Sequence, residues 1–185
     1  MGTIFVDNIK QQSSQGSGTI TIGASGETVS FASGVTGTNY PAFEAYGSAR
    51  MTGVADNAWT KLTMDAEKFD TNSMYDASSN YRFTPTIAGK YYVYGQTGIF
   101  SETNYKLNVV NIAIYKNGSE YKLGHYTYDP AFETNEVFLN IGATIDFNGS
   151  SDYVELYARS NVSSGTSTFD MDESSGTFGA YRIGT

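Results

Sequence analysis

The 185-residue sequence contains no cysteine and a single histidine, His125. Without thiols the chain can form no disulfide, no cysteine-ligated zinc site and no thiol nucleophile. One imidazole excludes a site built on paired histidine ligands, and no nucleophile motif accompanies it. We therefore expect no catalytic residues, and we expect His125 to face solvent or an interface.

Long apolar runs and basic clusters are also missing. No segment approaches the ~18 apolar residues of a membrane-spanning helix, and residues 1–10 lack the basic and apolar regions of a secretory signal. The formal charge is −8, whereas nucleic-acid binders neutralise phosphates with clustered Lys and Arg. We expect a chain made in a cytoplasm without export, with no membrane insertion and no nucleic-acid partner.

The abundant residues favour β structure. The chain has 15 Tyr, 11 Phe and 20 Gly, and helical spacing of Ala, Leu, Glu and Lys is absent. After residue 40 the turn signals return roughly every 8 to 15 residues, which is typical of a sandwich or barrel. The predicted strands are Pro41–Tyr46, Ala58–Met64, Asn80–Thr84, Gly89–Phe100, Val109–Lys116, Ser119–Tyr128, Asn135–Phe147, Asp152–Ser160 and Thr177–Ile183. Asn117-Gly118 predicts a type I′ hairpin between two of them, because that turn needs positive φ at both central residues.

Residues 1–40 have a different pattern from residues 41–185. An alternating stretch that includes Ile4, Val6 and Ile9 precedes a Gly/Ser/Gln-rich spacer, and two short alternating segments follow. Such segments need partner strands to bury their apolar face. Either residues 1–40 are a flexible linker, or they are an arm that becomes ordered on sister chains or a docking protein. The recurring Ile, Val and Phe favour the arm, with Ile4, Val6 and Ile9 as docking residues.

The acidic loops make calcium the only metal for which the sequence offers candidate ligands. Residues 146–152 place oxygen-bearing side chains at every second position, and residues 170–173 cluster three carboxylates. Hard cations prefer such ligands. Asp146, Asp152, Asp170 and Asp172 are therefore weak calcium candidates, although neither segment is an EF-hand and solvated loop carboxylates explain both.

An ordered series of motifs resembles the C1q/TNF-like jelly roll. The resemblance covers about 145 residues, roughly Pro41 to Thr185, and its motifs run from Trp59 to a closing strand in which Gly179 directly follows Phe178. Its members are Trp59–Asp65, Asp76–Asn80, Tyr81–Pro85, Ala88–Tyr94, Ile112–Gly118, Gly149–Leu156 and Ser175–Tyr181. No single member is specific, and the order carries the resemblance.

The resemblance implies an all-β jelly-roll sandwich that works as a homotrimeric binding or structural knob, here with an extended N-terminal β arm. It places the family-pattern residues in the core, and because residues alternate along a strand it turns the intervening ones toward a neighbouring subunit. The expected core-pattern residues are Trp59, Tyr81, Phe83, Tyr91, Phe178 and Gly179. The expected trimer-interface residues are Tyr92, Tyr94 and Gln96.

Three functions remain open. The first is a virion structural protein, because residues 2–10 and the spacer resemble the start of bacteriophage proteins that carry such domains. It would be a tail fibre, spike or capsid-decoration protein whose partners are itself, other virion proteins and a host surface glycan or receptor. The second is a secreted C1q/TNF-like recognition or signalling ligand. The third is a jelly-roll carbohydrate-active enzyme, which would need two converging carboxylates. The sequence favours the first.

Overall fold

The computed structural model describes residues 40–103, 106–127 and 134–184. The chain divides into two units between Thr38 and Asn39, and every described residue belongs to the second. The docking residues predicted in the arm, Ile4, Val6 and Ile9, lie outside the described residues.

The described residues form thirteen β-strands and no helix, and hence no helix that could cross a membrane. The strands are β1 Ala42–Tyr46, β2 Met51–Val54, β3 Thr60–Lys61, β4 Ala66–Asp70, β5 Tyr75–Asp76, β6 Arg82–Phe83, β7 Gly89–Ser101, β8 Leu107–Lys116, β9 Ser119–Thr127, β10 Glu136–Phe147, β11 Val154–Val162, β12 Ser167–Asp170 and β13 Thr177–Gly184.

The strands pair into two antiparallel sheets. A seven-stranded sheet has the order β2-β12-β7-β13-β1-β4, with β10 on the other edge of β7. A six-stranded sheet has the order β5-β6-β11-β8-β9, and β3 also pairs with β11. The two sheets pack face to face as a sandwich, so each has one face in the core and one outer face.

Strand β7 organises the seven-stranded sheet. It pairs with β10 over Gly89–Phe100 along one edge, and with β13 and then β12 along the other. Its side chains alternate, so Tyr91, Val93 and Ile99 have no exposed surface while Tyr92 is 37% exposed. This period of two is what the sequence predicts for a strand with one face in the core.

Aromatic rings fill the core where the two sheets meet. Phe43 of β1 stacks on Tyr75 and Phe83 with ring centroids 4.6 and 4.5 Å apart, and it meets Phe178 edge-on at 5.2 Å. Tyr91 meets Phe83 edge-on at 5.7 Å. Offset and edge-to-face rings add to the free energy of apolar burial. A chain without disulfides is thus stabilised by ring packing.

The predicted hairpin is confirmed. Asn117 and Gly118 have φ values of 52° and 78°, and β8 and β9 pair antiparallel around them, with Lys116 opposite Ser119.

Four strands were not predicted, and the prediction is wrong there for physical reasons. β4 reads Ala-Glu-Lys-Phe-Asp and lies at a sheet edge, where charged residues are common. β12 is buried at all four positions, so it shows no alternation. β2 contains Gly53 at a φ of 65°, and β5 is two residues long.

Candidate interaction surface

The outer face of the seven-stranded sheet carries the three predicted interface residues. Tyr92, Tyr94 and Gln96 alternate outward along β7, and the register places Tyr181 of β13 opposite Tyr92 and Asn140 of β10 opposite Gln96. The centroids of Tyr92, Tyr94 and Tyr181 are 5.7 to 6.3 Å apart. We call these five residues the tyrosine face.

Glycines on the neighbouring strands let two of these rings lie against the sheet. A Cβ added at Gly142 of β10 would overlap the Tyr92 ring, and one added at Gly179 of β13 would overlap the Tyr94 ring. Gly179, which the family pattern places in the closing strand, therefore leaves room for an aromatic ring on the outer face.

Tyr94 is fixed at its polar end as well. Its hydroxyl donates to Oε2 of Glu44 at 2.7 Å, while Oε1 of Glu44 lies 3.1 Å from Nζ of Lys68. Burial, reinforced by the Glu44 carboxylate, raises the pKa of the Tyr94 hydroxyl well above its usual range. The phenol therefore stays neutral and acts as a hydrogen-bond donor.

A depression of about 490 Å³ lies on this face, lined by residues that include Tyr92, Tyr94, Gln96, Asn140 and Thr177. Its polar groups are hydroxyls and amides, and none of its lining residues carries a charge. Such groups can form hydrogen bonds and apolar contacts but offer no general acid–base pair.

Large aromatic side chains remain exposed across the same face. Tyr92, Tyr181 and Phe138 are 37%, 47% and 46% exposed, and Phe138 of β10 meets Phe100 edge-on at 6.1 Å. A contiguous patch of this kind is typical of an interaction surface. Its combination of Tyr rings, amides and few charges matches the centre of protein–protein interfaces.

The four calcium candidates each have partners in the chain. Asp146 lies 2.5 Å from Lys90 and Asp152 3.0 Å from Lys116, while the enclosed Oδ2 of Asp170 lies 2.7 Å from Arg50. Asp172 accepts hydrogen bonds from the Ser174 hydroxyl at 2.7 Å and from its N–H at 3.0 Å. These hydrogen bonds lower the pKa of Asp172, and bonds from Asn117 and Lys116 lower that of Asp152. Across residues 40–103, 106–127 and 134–184 no group of three or more acidic or histidine side chains is arranged to hold a metal ion.

Phe83, Tyr91 and Phe178 have no exposed surface, but the core assignment of Trp59 and Tyr81 is wrong. Both are half-buried. Alternation around β3 sends Leu62 and Met64 into the core, so Trp59 lies on the outer face. Tyr81 has a φ of 49° at the end of a loop, which takes it out of the alternation of β6.

Trp59 belongs to a second group of outer side chains, on the six-stranded sheet. It meets Tyr115 edge-on at 5.9 Å, and Tyr115 lies 4.3 Å from Tyr157 between ring centroids. The guanidinium of Arg159 lies 5.1 Å from the Trp59 centroid. We call Trp59, Tyr115, Tyr157 and Arg159 the outer platform. Period-two alternation in β11, where Tyr157 and Arg159 fall between buried Leu156, Ala158 and Ser160, is the sequence signal for it.

No family model and no curated protein matches the sequence. Solved structures match the fold. The globular domain of zebrafish complement 1qA protein has a TM-score of 0.52 at 12% identity, over 77% of this chain and 97% of that domain. Crystal structures of murine APRIL at pH 5.0 and pH 8.0 have TM-scores of 0.55 and 0.56 at 8% and 9% identity, each over 78% of this chain and 100% of that one.

The domain therefore has the C1q/TNF-like jelly-roll fold that the motif series predicts. At these identities the likeness concerns the fold alone.

Proposed function

We propose that this chain is a non-enzymatic structural protein of a virion. In this proposal its jelly roll is a homotrimeric knob displayed on the particle surface, as part of a bacteriophage fibre or spike or as a capsid decoration. The knob stabilises the particle, adheres to the host surface, or does both. The observation that carries the proposal is the tyrosine face with its exposed aromatic neighbours, a surface suited to another copy of the chain.

Trimer formation through this face follows from its composition and from the family resemblance. Tyr92 and Tyr181 are large, rigid and half exposed, and tyrosine is enriched where protein surfaces meet. The C1q/TNF-like family that the motif series resembles works as homotrimers. Burying the tyrosine face against its copies would remove the aromatic surface from water while leaving its hydroxyls and amides partners across the interface.

The virion assignment is supported by the N-terminal sequence. Residues 2–10 and the Gly/Ser-rich spacer resemble the start of bacteriophage structural proteins, and residues 1–40 would dock on a capsid or tail protein. Three knobs on one attachment point bind a repetitive surface with an avidity ~10²-fold or more above that of one, when the geometry allows simultaneous contacts. Binding without chemistry is then the whole of the mechanism.

Labelling tests the virion assignment. Antibodies raised against residues 41–185 are applied with gold to purified particles from the organism that carries the gene, and to its particle-free medium. We expect gold on intact particles, on the tail for a fibre or across the head for a decoration protein. Unlabelled particles with antigen free in the medium would contradict the proposal and favour the secreted recognition or signalling ligand.

A further inference from the structure

The outer platform is a surface that the proposed trimer does not use, because it lies on the sheet opposite the tyrosine face. Trp59, the single tryptophan of the chain, is half-buried there and not part of the core. Tryptophan is large and rarely fully buried, and its ring joins an apolar face to a polar N–H, so a half-buried tryptophan can offer both kinds of contact to a ligand.

A small residue lies at the centre of the platform. Alternation along β8 puts Ile112 and Ile114 in the core and Ala113 on the outer face, and Ala113 pairs with Tyr157 of β11. Ala113 nonetheless has no exposed surface. Larger neighbouring side chains therefore cover it, and the rings around it are inclined to one another, by 66° between Trp59 and Tyr115 and by 32° between Tyr115 and Tyr157.

Arg159 is held rigidly beside these rings. Its Nε and Nη2 donate to Oδ1 of Asn111 at 3.3 and 3.2 Å. Asn111 is fully buried, and its amide nitrogen donates in turn to Nδ1 of His125 at 2.5 Å. The guanidinium is thus fixed by a buried amide below and by the Trp59 ring beside it.

Arg159 also keeps unused binding capacity. A guanidinium has five N–H donors, and two of them are used by Asn111. In the part of the chain that the structure describes, Arg159 forms no ion pair with a carboxylate. The nearby Lys61 is paired with buried Glu155 at 2.5 Å. Glu120 of β9 lies opposite Tyr115, so Arg159 is the platform's cation and an acidic side chain borders the Tyr115 end.

From this geometry we propose that the outer platform binds a carboxylate-bearing saccharide. The apolar C–H face of a pyranose ring packs on one aromatic ring of the platform while its edge meets a neighbouring ring inclined to it. The tyrosine hydroxyls meet the sugar hydroxyls, and the saccharide carboxylate accepts hydrogen bonds from the free N–H groups of Arg159. This deepens the proposed function, on whose adhesive role it rests, by naming a surface and a ligand class for adhesion. An anionic ligand is favoured because a carboxylate accepts stronger, charge-assisted hydrogen bonds from Arg159 than a sugar hydroxyl does.

Trp59 reports the binding directly, because all tryptophan fluorescence comes from the platform. The full chain is titrated with oligogalacturonides, whose sugars carry carboxylates, and with neutral glucose oligosaccharides from dextran of matched length. We expect a saturable change in emission with oligogalacturonides that weakens as salt is added, and no change with the neutral series. No response to oligogalacturonides, or an equal response to both, would overturn the proposal.

Variants show whether the outer platform is the binding site, and they test the binding proposal separately from the trimer proposal. Arg159→Gln should weaken oligogalacturonide binding at least tenfold, Arg159→Lys by less, and Arg182→Gln on the other sheet should leave it unchanged. Trp59→Phe, followed by calorimetry, should weaken it while keeping a ring in place. Equal weakening by Arg182→Gln, or none by Arg159→Gln, would contradict the platform. Light scattering on the same samples gives the assembly state, so a monomer that binds overturns only the trimer, and a trimer that does not bind overturns only the platform.

Discussion

At the scale of single residues, the missing side chain of Gly179 decides where Tyr94 lies. A Cβ at Gly179 would overlap the Tyr94 ring, and the Tyr94 hydroxyl reaches Glu44 only because the ring lies close to the sheet. A Phe-Gly pair in the closing strand is visible in the sequence. The sequence does not show that Tyr94 is the residue that packs on Gly179, because the two lie 85 positions apart. They meet only because β7 and β13 pair with Tyr94 opposite Gly179.

Replacing Gly179 by alanine should therefore destabilise the domain. We expect a loss of about 1–3 kcal/mol in the free energy of unfolding, the usual cost of forcing a group into a packed site, because the Tyr94 ring must move and its hydrogen bond to Glu44 is lost. Urea denaturation measures it. Gly184→Ala in the same strand is the control, since nothing lies within 4 Å of a Cβ there. Equal stabilities of the two variants would refute the packing argument.

The enclosed carboxylate of Asp170 leads to a second prediction. Asp170 is 1% exposed, and the Arg50 guanidinium lies 2.7 Å from its Oδ2, a charge contact to an oxygen that accepts no well-aligned hydrogen bond from the described residues. Arg50→Met leaves that carboxylate without a counter-charge and should cost about 3 kcal/mol. Lys90→Met breaks the exposed pair with Asp146 and should cost less than about 1 kcal/mol. Thermal unfolding of the two variants compares them, and a larger loss for Lys90→Met would be incompatible with the structure.

At the scale of strands and loops, the alternation of buried and exposed residues made the long strands predictable, whereas several short strands do not alternate and were missed. β7, β8, β10, β11 and β13 each have a core side and an outer side, so their sequences indicate them. β4 and β12 do not alternate, because one lies at an edge and the other is buried on both sides. Trp59 was misassigned for a related reason. A motif match placed it in the core, but Leu62 and Met64 are the core residues of that segment, and alternation along the chain therefore places Trp59 on the outer face.

Tyr92, on the outer side of β7, should be essential for assembly and dispensable for folding. Tyr92→Asp puts a charge at a half-exposed position, so we expect native β structure by circular dichroism but no trimer in sedimentation. Tyr94→Asp should unfold the domain more readily, because its carboxylate would lie beside Glu44. Tyr121→Asp on β9 of the other sheet, where the side chain is 49% exposed, is the control. A Tyr92→Asp variant that remains trimeric would move the interface elsewhere.

The loop between β5 and β6 should make stability depend on acid. The Asp76 carboxylate accepts the N–H groups of Ser78 and Ser79 at 3.0 Å each and the Asn80 amide at 2.6 Å. These hydrogen bonds hold its pKa far below the usual 3.8. The carboxylate therefore stabilises the fold above about pH 4 and loses this effect as the pH falls further.

Asp76→Asn checks the direction of this dependence. The variant should unfold at a lower temperature than the wild type near pH 7, because a neutral amide accepts weaker hydrogen bonds from the loop. The difference should shrink as the pH falls below about 4, where the carboxylate becomes protonated in the unfolded wild-type chain while it is still ionised in the fold. A gap between the two melting temperatures that stays constant or widens in acid would contradict the role of the charged carboxylate.

At the scale of the whole molecule, the two outer faces of the sandwich have different chemistry. The tyrosine face combines rings with uncharged amides, whereas the outer platform combines rings with a fixed guanidinium. The fold class and the outward side of β7 with Tyr92, Tyr94 and Gln96 were predictable, because strand alternation and an ordered motif series need only the sequence. Tyr181 and Asn140 of the tyrosine face and the whole outer platform were not, since they bring together residues of different strands whose order in the sheet the sequence does not specify.

The central claim is that the tyrosine face joins three copies of the chain. Light scattering coupled to size-exclusion chromatography, on the full-length chain at micromolar concentration, tests it most directly. We predict a molar mass three times the 20.1 kDa of one chain. A mass of 20.1 kDa for the intact wild-type chain would contradict the account.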